Sequence, residues 1–251
     1  MEPLSEDWSR ALCVVAHPDD LEYGMAGAIA KWTAAGKQVS YLLVTRGEAG
    51  IDGMAPDECA RVREAEERAS ARVVGVDAVE FLDGHTDGLI EYGLPLRRDL
   101  ALAIRRHRPE AVFSINFRES WGGHSFNMAD HRNVGLALLD ASRDASNRWL
   151  FADAASVPNG DAGSVPNGDA GSVPWSGVRL VGFAGAPTST HYVDIGPHIE
   201  QGIASLREHA AYIAGLGQPD FDPDPFLRGS ARALGETVGC DYAVGLEVFE
   251  L

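Results

Sequence analysis

Three features of this 251-residue chain predict an α/β fold, a mostly parallel sheet covered by helices on both faces. An apolar run, Ala11 to Ala16, passes directly into polar His17-Pro18-Asp19-Asp20 and then into a helical stretch. The same strand, loop and helix succession recurs along the chain. The connections between the units are short, as parallel strands joined by crossover helices require.

Taken in order, Ala11–Ala16 reads as the first strand and Leu21–Ala35 as the helix that follows it. Val39–Val44 is the second strand, Asp57–Val74 a helix, Ala78–Leu82 a strand, Leu94–His107 a helix and Ala111–Ile115 a strand. A helix is expected over Asp130–Ser142. Beyond it the pattern predicts strands near Val178–Phe183 and His191–Ile195, a helix over His198–Leu216 and a final strand over Tyr242–Phe249. Together these make a Rossmann-like three-layer sandwich, with residues 1–251 as one domain.

Between the two halves an octapeptide, Ser-Val-Pro-Asn-Gly-Asp-Ala-Gly, begins at Ser156, repeats from Ser164 and starts again at Ser172. Each copy has one Pro and two Gly and too little apolar surface to bury, so residues 155–176 read as a turn-rich, low-complexity loop. Asp161 and Asp169 lack the converging oxygen ligands and bidentate Glu of a calcium loop.

Composition narrows the function classes. With 45% hydrophobic residues the chain can build a substantial core. A formal charge of −16 disfavours nucleic acid or an anionic membrane as partner and suits a neutral or cationic small molecule. Cys13, Cys59 and Cys240 show no CxxC spacing, which argues against a disulfide framework or a thiolate metal site. The acidic start lacks the basic and apolar regions of a secretory signal, and no run reaches membrane-spanning length. A cytoplasmic protein is the expectation. No heptad pattern indicates an oligomeric state.

Chemistry concentrates after the strands. Functional groups of open α/β sheets gather beyond the carboxyl ends of the strands, where His17-Pro18-Asp19-Asp20 falls. Across a Pro-stiffened turn, His17 and Asp20 can address one ion, with Asp19 held beside them. Imidazole plus carboxylate suits zinc or another borderline divalent metal, and a catalytic site needs a third protein ligand and an open position. His131, at the start of the helix after Ala111–Ile115, is the best third ligand, and Asp130 next to it could orient a donor from outside the ligand set. The plainer alternative makes the aspartates helix caps and the histidines a strand end and a surface residue.

The chain resembles the LmbE-like or PIG-L-type N-acetylglucosamine deacetylases, a family that includes mycothiol-pathway and antibiotic-pathway members. The marks are Ala16-His17-Pro18-Asp19-Asp20, Thr45-Arg46-Gly47-Glu48-Ala49-Gly50, the Arg63–Glu67 helix, Asp87-Gly88, Asp130-His131, His191-Tyr192-Val193-Asp194-Ile195 and Leu206-Arg207-Glu208-His209. The resemblance implies that His17, Asp20 and His131 ligate zinc and that Asp19 is the general base. Many members carry a His three residues before the third ligand, and here that position is Met128. A thioether neither stabilises an oxyanion nor protonates an amine. His191 or His124 are candidates for that task, and Asp19 could return its own proton.

Arg46, after the second strand, is a candidate to hold sugar hydroxyls, a phosphate or a carboxylate. Trp121 offers a flat face for a sugar ring. The run Gly47-Glu48-Ala49-Gly50-Ile51-Asp52-Gly53 invites a nucleotide-loop reading, but the dinucleotide fingerprint belongs after the first strand, where this chain has His17-Pro18-Asp19-Asp20 instead. The expected activity is zinc-dependent removal of an acetyl or other acyl group from the nitrogen of a small sugar-like substrate. Two alternatives stand beside it: an amidase of a larger N-acyl or thiol-sugar conjugate, and a non-catalytic metal- or sugar-binding protein.

Overall fold

The computed structural model describes residues 1–152 and 173–251. The expected repeat loop lies, for residues 155–172, outside the described residues. In chain order the elements are β1 (Glu2–Pro3), β2 (Arg10–Val15), α1 (Asp20–Gly24), α2 (Ala26–Ala34), β3 (Gln38–Leu43), α3 (Pro56–Val73), β4 (Ala78–Phe81), α4 (Leu94–His107) and β5 (Ala111–Ile115). Then come β6 (Ser120–Gly122), β7 (Ser125–Phe126), α5 (Ala129–Asp144), β8 (Leu180–Ala184), β9 (His191–Asp194), α6 (Ile199–Arg207), α7 (Ala210–Gly215), α8 (Pro223–Val238) and β10 (Ala243–Glu250).

Strands β1-β9-β10-β8-β5-β2-β3-β4 form one 8-stranded sheet in that spatial order, and β6 and β7 form a small hairpin. The run from β8 to β4 is parallel throughout, whereas β10 is antiparallel to both β8 and β9, between which it lies. From β2 the chain builds outward through β3 and β4, then returns to place β5 on the other flank of β2. That reversal opens a crevice at the carboxyl ends of β2 and β5, the usual ligand position in such sheets.

The alternation of β2 explains its position at the centre. Ala11, Cys13 and Val15 enter the core on one face, with Trp32, Tyr41 and Phe113; Leu12, Val14 and Ala16 enter the other, with Leu100, Ile104 and Leu138. A strand buried on both faces must be apolar at nearly every position, and Arg10–Val15 is.

Three departures from the sequence expectation bear on the site. The single helix expected over Leu21–Ala35 is two helices, broken at Met25, whose φ of −153° leaves the helical region. The break buries the Met25 side chain and turns α2 against α6, where a Cβ added at Gly202 would stand 3.0 Å from the Gly27 nitrogen. The helix expected over His198–Leu216 likewise splits into α6 and α7 around His209, whose ring is fully buried. Helix α8 was not expected from sequence at all. The Asp222 side chain caps it through the Asp224 amide at 3.0 Å, Pro223 opens it and left-handed Gly239 closes it. No helix among the described residues is long and apolar enough to cross a membrane.

Candidate functional site

At the mouth of the β2/β5 crevice the turn after β2 brings His17, Asp19 and Asp20 together, all buried, and the first turn of α5 adds His131 from across it. Ligand atoms of His17, Asp20 and His131 all lie within 4.8 Å of one another. Each donor is held by a partner outside the set. Asp20 Oδ2 accepts from the amides of Ala16 at 3.1 Å and His17 at 3.0 Å, while Oδ1 stands 3.1 Å from His131 Nε2. His131 Nδ1 is 2.9 Å from Asn127 Oδ1. The Asn127 amide nitrogen donates to the carbonyls of Asn116 and Arg118, which fixes its oxygen toward the imidazole and so leaves Nε2 facing the crevice. His17 Nε2 is 3.1 Å from both Asp87 Oδ1 and Asp130 Oδ2, and Asp130 also accepts from the amides of Gly88 and Ile90. A carboxylate behind one imidazole and an amide behind the other is the pattern that orients metal-binding histidines.

Electrostatics point the same way. Burial alone would lower the His17 pKa, yet hydrogen bonds to Asp130, Asp20 and Asp87 hold it well above the ordinary histidine value. Burial would raise Asp20, but His131 and His17 keep it well below the carboxylate range. Carboxylates so placed call for positive charge at the imidazoles they face. Two imidazoles and one carboxylate, fixed from behind and opening on a cavity, match the donor set of a mononuclear divalent-metal site with a free position.

Asp19 is gripped at both ends by α3. Its backbone is left-handed, φ 89°, a conformation Asp tolerates better than most residues. Its amide donates to Glu67 Oε2 at 3.2 Å and its Oδ2 accepts from Arg63 Nη2 at 2.9 Å. Arg63 and Glu67 stand four apart on one face of the helix. Burial pushes the Asp19 carboxyl up to about 7, with Arg63 drawing it down and Asp20 adding to the rise. The Arg63 guanidinium also donates to the carbonyls of Pro18 and Gly47 and packs over the Tyr212 ring at 4.1 Å. The glycines after β3 exist for this guanidinium: a Cβ at Gly47 or Gly50 would lie 2.3 or 2.2 Å from its Nη1.

Behind Asp19 lies a second buried polar group. His209 Nε2 is 3.6 Å from Glu22 Oε2 and 3.7 Å from Glu67 Oε2, and Ser70 links Glu22 to Ser205. Burial opposes charge on His209, but Glu22 raises its pKa, and burial with Glu22 nearby raises that of Glu67.

The remaining expected residues divide. Trp121 lines the cavity, 38% exposed, its ring edge-on to His131 with centroids 5.8 Å apart. Met128 lines it as well. His124 is exposed on the β6–β7 turn and is not a lining residue. His191 sits within β9, paired with Glu2 and Leu246, its Nδ1 2.8 Å from Thr190 Oγ1, also off the cavity wall. Arg46 is turned to Glu64, Asp83 and the Leu82 carbonyl rather than to the cavity. Conversely, Arg63, Asp87 and Tyr212 line the cavity, although the sequence reading gave them no task. For the first two the signal was present, in the Arg63–Glu67 and Asp87-Gly88 marks.

The fold and these residues define an α/β protein with a His-Asp-His cluster able to hold a metal ion at its topological switch point. Residues 12–142 match the family described as PIG-L, GlcNAc-PI de-N-acetylase, and the chain belongs to that family. It is 31% identical over 254 residues to diacetylchitobiose deacetylase of Thermococcus kodakarensis, covering 98% of this chain and 84% of the relative. It is 26% identical to 1D-myo-inositol 2-acetamido-2-deoxy-alpha-D-glucopyranoside deacetylase of Acidothermus cellulolyticus, covering 95% and 96%. Its fold is similar to N,N'-diacetylchitobiose deacetylase from Pyrococcus horikoshii in complex with its inhibitor MPG, with a TM-score of 0.81, 25% identity and coverage of 97% and 85%.

Proposed function

We propose that the protein is a zinc-dependent N-deacetylase acting on a small substrate that contains an N-acetylglucosamine unit. The observation that carries the reading is Asp19, a buried carboxylate fixed by Arg63 and Glu67 beside the His17, Asp20 and His131 donors. Binding a metal needs Asp20 alone of the two aspartates, whereas a carboxylate held next to the ligands suits proton transfer. The two relatives named above carry N-acetyl sugar deacetylase names, which supports the same reading.

Zinc bound by the triad would supply Lewis acidity toward the amide carbonyl and acidify a water molecule. Asp19, its Oδ2 held by Arg63, takes the proton of the attacking water on its other oxygen and returns it to the departing amine. Arg63 keeps that carboxylate in place through its hydrogen bond to Oδ2. Asp87 and Asp130 keep the His17 ring in one orientation. Trp121 offers the sugar a flat apolar face at the cavity mouth.

Metal analysis of the purified protein, together with acetate release from N-acetylglucosaminyl glycosides, inositol conjugates and N-acylated antibiotic intermediates, tests the proposal. The expected result is about one zinc per chain and acetate release that a chelator abolishes. Bound metal without turnover of any N-acyl compound would instead make this a binding protein.

A further inference from the structure

The cavity that the triad opens on is about 1080 Å³. That is just above the roughly 300–1,000 Å³ that holds a drug-sized ligand, and well beyond the needs of a two-carbon acyl group on one sugar. Its walls are chemically divided. Every charged lining residue stands at the crevice end, with His17, Asp19, Asp20, Glu22, Arg63 and Asp87 among them. The opposite arm, between α2, α6, α8 and β10, is lined by Ile195, Ile199, Leu227, Ala231, Leu234 and Val244 and by no charged group. Within the arm, Ile195, Ile199, Leu227, Ala231 and Val244 are buried, and Phe226 and Ser230 of α8 are exposed at its rim; on the triad side Trp121 and Met128 are each 38% exposed.

A polar sugar gains little from entering an arm lined by aliphatic side chains and would leave hydroxyls unpaired against them. It stays at the hydrated mouth, beside Trp121, Ser125 and Asp87. With the amide carbonyl at the triad between mouth and arm, the group extending inward is the one on the far side of the carbonyl from the sugar. We infer that the arm is a subsite for a linear aliphatic N-acyl chain, so that the enzyme hydrolyses N-acyl-glucosaminyl amides longer than acetyl in preference to acetyl. The inference rests on the amide-hydrolase reading above, keeps acetyl amides as substrates and makes longer acyl amides the better ones. Hydrolysis breaks the amide C–N bond, with water supplying hydroxyl to the carbonyl carbon and a proton to nitrogen, and releases a carboxylic acid and a free amine.

Two measurements test it, one of them independent of turnover. In kinetics, methyl glucosaminides carrying N-acetyl, butanoyl, hexanoyl and octanoyl groups are compared with methyl, butyl, hexyl and octyl glycosides of N-acetylglucosamine. Each methylene taken into the arm should raise kcat/KM about fourfold in the acyl series until the arm is full, while the glycoside series stays flat. In calorimetry, the zinc-loaded protein is titrated with acetate, butanoate, hexanoate and octanoate, and the same increment is expected in affinity, with a negative heat-capacity change. Ala231→Phe, which fills the arm from α8, should flatten both acyl slopes. The readout there is the long-to-short ratio within each protein, so a general loss of activity cancels.

Flat slopes in the acyl and carboxylate series would overturn the arm as a chain subsite, whatever the acetyl substrates do. A rise confined to the glycoside series would overturn the acyl assignment. If the carboxylates bind more tightly with length while no amide is hydrolysed, the subsite stands and the hydrolase reading fails. Acetate release from the acetyl compounds with flat slopes gives the converse.

Discussion

The two ends of the cavity come from different parts of the chain. The charged end is built by β2, β5 and the first turns of α1 and α5, with α3 behind, all within the parallel part of the sheet and nearly all within residues 12–142. The apolar end is built by α6, α8 and β10, where the sheet turns antiparallel. At the first end each side chain is fixed by two or three polar partners; at the second, buried apolar contact alone sets the shape. Polar constellations of that kind tolerate few substitutions, because removing one partner leaves another buried and unpaired. Apolar walls tolerate volume-conserving exchange. Reaction chemistry and substrate fit can therefore vary separately in this architecture.

Substitutions can break or sharpen that contrast. The largest effects belong to the charged end: Asp20→Ala should lose both metal and turnover, whereas Asp19→Asn should retain metal and lose about 10²–10⁴ in kcat. Metal content by atomic absorption beside the rate separates the two, and an Asp19→Asn protein that kept full turnover would sink the base assignment. Asp130→Asn, which changes the carboxylate behind His17, should weaken metal affinity about 10–100-fold, read by chelator competition. Trp121→Ala should raise KM about 3–10-fold with a smaller change in kcat, the size of one aromatic contact.

The smallest effect is a control away from both ends. Glu80 on β4 pairs with His107 and Arg106 of α4. Burial would raise its pKa, but those two partners hold it below the ordinary carboxylate value. A depressed acid adds stability above its unfolded pKa and loses it as the pH falls through the folded value. Glu80→Gln should therefore lower Tm by about 2–4 °C at pH 7, if the pair is worth about 1 kcal/mol. The gap should narrow as the pH drops below about 4.3, with metal content unchanged throughout.

Much of the parallel half was legible in the sequence. Leu94–His107 and Ala111–Ile115 have the bounds that apolar periodicity predicts, because each is a simple repeat of one period. The breaks at Met25 and His209 were not legible. Both residues sit in otherwise helical surroundings, and what turns the chain there is tertiary: a methionine drawn into the core and an imidazole drawn toward Glu22 and Glu67. Helix α8 was hidden by Pro219, Pro223, Pro225, Gly229 and Gly235, which read locally as loop.

The candidate site divides in the same way. His17, Asp19 and Asp20 lie in one tetrapeptide after a clear strand, and His131 in the matching position after another, so topology alone brings them to one edge. Arg63, in the second turn of α3, carries no such positional signal, and Asp87, six residues beyond β4, is placed by how the turn after that strand folds back to His17. Arg46 follows a strand and so met the same positional rule as His17, yet Glu64 and Asp83 hold its guanidinium elsewhere. Nearness to a strand end selects candidates; the partners of each side chain decide among them.

The insertion of β10 between β9 and β8 has a consequence for the order in which the molecule becomes functional during synthesis. All three triad residues and both α3 clamps are made before residue 132, on strands that can already pair with one another. The cavity wall of Ala243, Val244 and Gly245, and the strand that joins β8 to β9, are made last. Until those residues leave the ribosome, β8 and β9 each present an open edge to other chains. A nascent chain can thus bring His17, Asp20 and His131 together well before it has the apolar wall that completes the cavity.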